Sequence, residues 1–127
     1  MPALVLGPLL RHAGERQATI WVQTDEACEV EVLGHRARTF CVDGHHFALV
    51  VVDGLEPGVV TPYEVHLDGE RVWPCLEGWP PSVIRTTARD LPVDIVFGSC
   101  RTAYPHEEPY TLRKDEHDDG REVCGLR

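Results

Sequence analysis

Residues 28–32 read Cys28-Glu29-Val30-Glu31-Val32, and their strict alternation decides the fold class. Side chains along a strand point to opposite faces in turn, so Cys28, Val30 and Val32 share one face and the two glutamates share the other. The pattern is a strand with one buried and one wet face. Upstream, Ala18, Ile20 and Val22 alternate with Thr19, Trp21 and Gln23, and both faces of this strand are partly apolar, as inside a sandwich. Downstream, Gly34 and His35 turn the chain into a strand over 36–42. Asp43-Gly44 is a hairpin signal, and 46–52 is the returning strand.

The same reading extends to both ends. Gly7 and Pro8 interrupt 4–10 (LVLGPLL), which suits an edge strand. Leu55-Glu56-Pro57-Gly58 leads into 61–67, where Tyr63, Val65 and Leu67 share a face and His66 lies opposite. Asp68-Gly69 turns the chain into 70–73, and 82–86 closes the series after Pro74, Gly78, Pro80 and Pro81. Seven or eight short strands with regularly spaced turns predict an all-β fold, a fibronectin type III/immunoglobulin-like antiparallel sandwich over 4–86. Three residues carry structural roles in that pattern. Trp21 is the core aromatic of an early strand, and Leu55 opens a corner to which the Tyr63 hydroxyl can bond back. A linker over 87–92 precedes one extra apolar strand, 93–97, and an irregular C-terminal tail rich in charge and proline. That strand needs neighbours, because it cannot satisfy its backbone or bury its side chains alone.

Composition narrows the function. The 127 residues are 43% hydrophobic and 26% charged, room for one ordinary core. Twelve Lys and Arg against 21 Asp and Glu give a net charge of -9, which argues against nucleic acid and against an anionic membrane surface as partners. The longest apolar run, 47–52, falls far short of the roughly 20 residues of a membrane span. No basic start and apolar stretch open the chain, so a cytoplasmic location is expected. Five cysteines, at 28, 41, 75, 100 and 124, lack CxxC spacing and read as reduced thiols there. In an exported protein, Cys28 and Cys41 could pair across adjacent strands.

Motifs for chemistry are few. His45 and His46 are adjacent, so on a strand they face opposite ways and do not jointly hold a metal. Glu107 and Glu108, the acidic 115–119 (DEHDD), His106 and His117 are ligand types, but no calcium-loop spacing organises them. No GxSxG, P-loop or HExxH occurs. Asp90 and Asp94 are single carboxylates, and a nucleophilic Cys100 would need a base held beside it.

The stretch Val93-Asp94-Ile95-Val96-Phe97-Gly98-Ser99-Cys100-Arg101, following a fibronectin-like sandwich and a linker, resembles the N-terminal part of PhoD-type alkaline phosphatase/phosphodiesterase proteins. Residues 6–11 (LGPLLR) resemble the actinobacterial members. In that family the sandwich precedes a calcineurin-like metallophosphatase domain whose first strand ends in a small residue, Ser and Cys. The resemblance implies that Cys100 stands where the family has a metal ligand. It also implies, for a full-length member, a multi-metal centre of iron, calcium or a similar divalent metal. The Gly-Asp turn, Asn-His pair and later His ligands of the family do not follow in this sequence. One cysteine cannot hold two metals and activate water, so Cys100 is expected to be an orphan ligand and this chain inactive, with no cofactor of its own. The expectation is a non-catalytic accessory fragment, with 93–127 the start of a truncated phosphatase domain and the missing remainder its partner. The alternative is a stand-alone interaction module whose tail orders on a protein partner through strand addition at 93–97. A small metal-binding protein using 100–119 is a third reading.

Overall fold

Runs of β-branched residues form strands where neighbouring runs can satisfy their backbone, and short turn sequences here bring such runs together. The computed structural model describes residues 1–98. Its strands are β1 (Leu4–Ala13), β2 (Ala18–Thr24), β3 (Glu29–Val32), β4 (His35–Arg38), β5 (Phe40–Val42), β6 (His45–Val52), β7 (Val60–Pro62), β8 (Val65–Leu67), β9 (Glu70–Trp73) and β10 (Val83–Arg85). Two four-stranded antiparallel sheets have the orders β1-β2-β6-β5 and β4-β3-β8-β9, and β10 pairs with β7 in a short ladder. The first order is that of the ABED sheet of an immunoglobulin-like fold. The second is its CFG sheet extended by one strand beside C. The compact unit Met1–Val93 is the all-β sandwich that its alternation predicts. Among the described residues no helix is long and apolar enough to cross a membrane.

The core lies between the two sheets. From the first come Ala18, Ile20 and Val22 of β2 and Ala48, Val50 and Val52 of β6, paired as Ala18↔Val52, Ile20↔Val50 and Val22↔Ala48. Val30, Val32, Val65 and Leu67 of β3 and β8 meet them from the second sheet, with Tyr63 and Ile84 completing the cluster. Small branched residues dominate because facing sheets leave a layer about 10 Å thick, filled by interdigitating side chains.

The structure corrects several details. Among the described residues there are ten strand segments, not seven or eight, because the expected strand 36–42 changes sheets at Thr39 and the expected strand 61–67 divides into β7, paired with β10, and β8, in the second sheet. The Thr39 amide donates to the Cys28 carbonyl at 3.0 Å, and its hydroxyl accepts from the Cys28 amide at 2.9 Å. That anchor ends β4 on one sheet and lets β5 begin on the other. The turn placed at Gly34 and His35 is Leu33-Gly34, with φ of 49° and 78°, the paired left-handed conformation of a two-residue hairpin. Cys28 is buried and Cys41 exposed on a different sheet, and both are free thiols, so they are not the cross-strand pair of an exported protein. Finally, residues 93–97 form no strand, for no neighbouring strand among the described residues satisfies their backbone. The compact unit runs from Met1 to Val93. Of the second unit, Asp94–Arg127, residues 94–98 are described, and Ile95, Val96 and Phe97 are exposed.

Burial raises the Cys28 thiol above its ordinary value of 9.0; a hydrogen bond with Thr24 opposes this, and Asp68, Asp25 and Glu26 add to it. Burial likewise raises the Tyr63 phenol above 10.0, against a hydrogen bond with Ser82. Both groups hold their protons more tightly folded than unfolded. Their contribution to stability is therefore complete below 9.0 and is lost as pH rises through the raised folded values. Urea midpoints measured between about pH 8 and about pH 11 are expected to fall, and to fall less in Cys28→Ala and Tyr63→Phe. Wild-type and variant curves of equal slope would refute this assignment.

Candidate interaction surface

The two sheets present different faces to solvent, and the difference is set by sequence. On β3, Glu29 and Glu31 alternate with buried valines, opposite Arg38 and Arg36 of β4. Arg36 reaches Glu31 at 2.7 Å and Glu29 at 3.4 Å, while Glu64 lies 3.7 Å from His66 and 3.9 Å from Arg71. The outer face of this sheet is thus a lattice of exposed ion pairs, the usual dress of a solvated surface.

Among the described residues, the outer face of the β1-β2-β6-β5 sheet has none of this. Partners in register share a face, so Leu9 and Leu49 flank Trp21 from either side, and Phe47 lies opposite both Gln23 and Phe40. Trp21 stacks on Phe47 with ring centroids 5.6 Å apart, and Phe40 lies 6.0 Å from Phe47. Val51 and Val42 extend the patch. Leu49, at the middle of a central strand, is 45% exposed, and Phe40 on the edge strand is 54% exposed. No Asp or Glu occurs in β1, β2, β5 or β6, although the whole chain carries -9. The ionisable residues on these strands, cysteine aside, are Arg11, His12, His45 and His46. Arg11 lines a shallow depression with Leu9 and Trp21, and His45 Nδ1 lies 3.3 Å from the Gln23 amide nitrogen.

The residues singled out from sequence are placed as follows. Trp21 is not the core aromatic: it is half-buried on the outer face, because Ile20 and Val22 take the inward positions on either side of it. Tyr63 is buried in the core; its amide donates to the Ser82 carbonyl at 2.9 Å, and the Ser82 hydroxyl accepts from Trp73 Nε1 at 2.9 Å. The corner after Leu55 is held by Thr86 instead. Its hydroxyl donates to the Glu56 carbonyl at 2.6 Å and accepts from the Val59 amide at 3.0 Å. Leu55 packs against the core, and its amide bonds to the Arg16 carbonyl at 3.0 Å. Cys100 lies outside the described residues, as do His106, Glu107, Glu108 and 115–119. Among the described residues no three His, Cys, Asp or Glu side chains gather as a metal-ion group.

Sequence reading passed over this surface, though two signals of it were present. The run Phe47-Ala48-Leu49-Val50-Val51-Val52 is apolar at both parities, so a strand there must leave half of it facing outward unless a third layer covers it. The second signal was the lack of carboxylates on four strands of an acidic chain.

Residues 1–84 match the family model described as Domain of unknown function (DUF7800). No curated protein and no solved structure matches the chain.

Proposed function

The chain belongs to the DUF7800 family. We propose, from the sequence resemblance of 93–101, that its sandwich is the non-catalytic accessory domain of a cytoplasmic, PhoD-like metal-dependent phosphatase or phosphodiesterase. One observation carries the proposal. The sandwich is followed by an apolar stretch, 93–97, that leads into Gly98-Ser99-Cys100, and its Val96 and Phe97 side chains are 95% and 91% exposed. A buried Val, Ile or Phe contributes about 1.5–3 kcal/mol relative to an exposed one. Such a stretch gains that stabilisation as a strand inside a further α/β layer, the setting of the first strand in the family it resembles. Cys100, at the end of that strand, would then be one ligand of a multi-metal centre whose other ligands come from further polypeptide.

The reading predicts no hydrolysis by this chain. Loaded with iron, calcium or manganese, it is expected to cleave bis(p-nitrophenyl) phosphate no faster than Cys100→Ala. Turnover above that control overturns the accessory role.

A further inference from the structure

We propose that strand β5 is a self-pairing edge: a second copy of this chain adds antiparallel to it about a two-fold axis at Cys41, joining two four-stranded sheets into one of eight strands.

The backbone leaves that edge open. Asp43 and Gly44, with φ of 47° and 79°, form the two-residue turn between β5 and β6. Residues flanking such a turn exchange both backbone bonds, so Val42 is engaged with His45 and, two positions away, Phe40 with Phe47. Cys41, between them, directs its amide and its carbonyl away from β6. The Thr39 amide points the same way and is taken by the Cys28 carbonyl at 3.0 Å. The Cys41 groups have no backbone partner among the described residues.

The other edges of the two four-stranded sheets are guarded. β1 carries Gly7, Pro8 and three breaks of register. β4 carries Arg36 and Arg38, and β9 carries Glu70 and Arg71 and runs into Pro74. Proline, bulges and charge are what keep strand edges from pairing with another chain. β5 is Phe40-Cys41-Val42, with none of these, and all three residues are exposed.

A second β5 fits this edge better than a longer peptide does. The chain leaves for the other sheet at Thr39 and turns at Asp43, so the edge serves one short strand, and a copy of β5 is cut to the same length. Paired about Cys41, each Cys41 amide donates to the other copy's Cys41 carbonyl. Phe40 then faces the second copy's Val42, an aromatic against a β-branched residue, which is a stabilising cross-strand pair. These two side chains are 54% and 49% exposed in the single chain. The flanks match as well. Residues 38–43 read Arg-Thr-Phe-Cys-Val-Asp, and antiparallel pairing brings the Arg38 end of each copy to the Asp43 end of the other. Neither Arg38 nor Asp43 has an ion-pair partner among the described residues. The net charge of -9 on each copy is screened beyond about 8 Å at physiological ionic strength, so the local match decides. So short a contact belongs to the transient class of association.

Sedimentation equilibrium of the full chain, from about 10 µM to about 1 mM, is expected to show a reversible monomer–dimer equilibrium. Cys41→Pro removes an N–H that points away from β6, so the hairpin ladder is kept, as circular dichroism should confirm. The two bonds lost at the axis should weaken the dimer about tenfold or more. Phe40→Lys, which puts a charge on the edge, should also weaken it. Arg38→Glu should weaken it several-fold, and adding Asp43→Asn, which keeps the turn, should recover part of the loss. A chain retaining Cys41 as its one cysteine should be linked into dimers by a short bismaleimide. A chain retaining Cys75 alone, which is also exposed, should stay unlinked. A protein that remains monomeric at about 1 mM overturns the proposal. So does a dimer that Cys41→Pro and Phe40→Lys leave intact, or one kept in Cys41→Pro but lost in Leu49→Glu, which would assign the contact to the outer sheet face.

Discussion

Thr86→Val is expected to lower the unfolding free energy by about 2–3 kcal/mol, although it changes one hydroxyl to a methyl. Thr86 is 8% exposed, among the few polar side chains buried in the sandwich. Its hydroxyl satisfies the Glu56 carbonyl and the Val59 amide together, and its own amide donates to the Val59 carbonyl at 3.1 Å. Valine keeps the backbone bond and the shape but leaves one donor and one acceptor without their partner. Each such group, when buried, costs about 1–3 kcal/mol, and partial access of water at the half-exposed Val59 holds the sum toward the low end. Thr86→Ser retains the hydroxyl and should cost about 1 kcal/mol or less, through the lost methyl. Urea denaturation of the three proteins at neutral pH separates the terms. A loss in Val no greater than that in Ser would remove the hydroxyl from the account.

That corner shows what kind of information the sequence holds. Alternation at 28–32 and 18–24 was enough for the fold class, because period-2 patterning is written in consecutive residues. The turns at Asp43-Gly44 and Asp68-Gly69 were legible for the same reason, since the conformation belongs to the dipeptide itself. The bond from Thr86 to residues 56 and 59 joins positions far apart in the chain. Nothing local distinguishes Thr86 from any other strand-end threonine, and the tyrosine expected to close the corner bonds through its amide to Ser82. The switch of sheets at Thr39 was hidden likewise, because it depends on Cys28 lying beside it. The apolar outer face was half legible. Its apolar residues stood in the sequence, but which parity faced outward required knowing which sheet lay opposite.

Parity is also what the last prediction weighs. Ile20 and Trp21 are neighbours on β2, and by side-chain size alone Trp21 should matter more to stability. The structure reverses the order. Ile20 is fully buried between the sheets, paired with Val50 and surrounded by small branched residues. Ile20→Ala removes three carbons from a packed interior and is expected to cost about 2–5 kcal/mol, the transfer free energy plus the cavity left behind. Trp21→Ala deletes a larger ring, but one that faces outward and leans on Phe47 at 5.6 Å. The stacking contributes about 0.5–1.5 kcal/mol beyond area, and the area was only partly withdrawn from water, so the loss should stay near 1–2 kcal/mol. Chemical denaturation of both variants tests the ordering. If Trp21→Ala is the more damaging, its ring is held by more of the sandwich than its stack on Phe47. If Ile20→Ala is the more damaging, the tryptophan contributes little to folding, and its place on a carboxylate-free face is left for binding to explain.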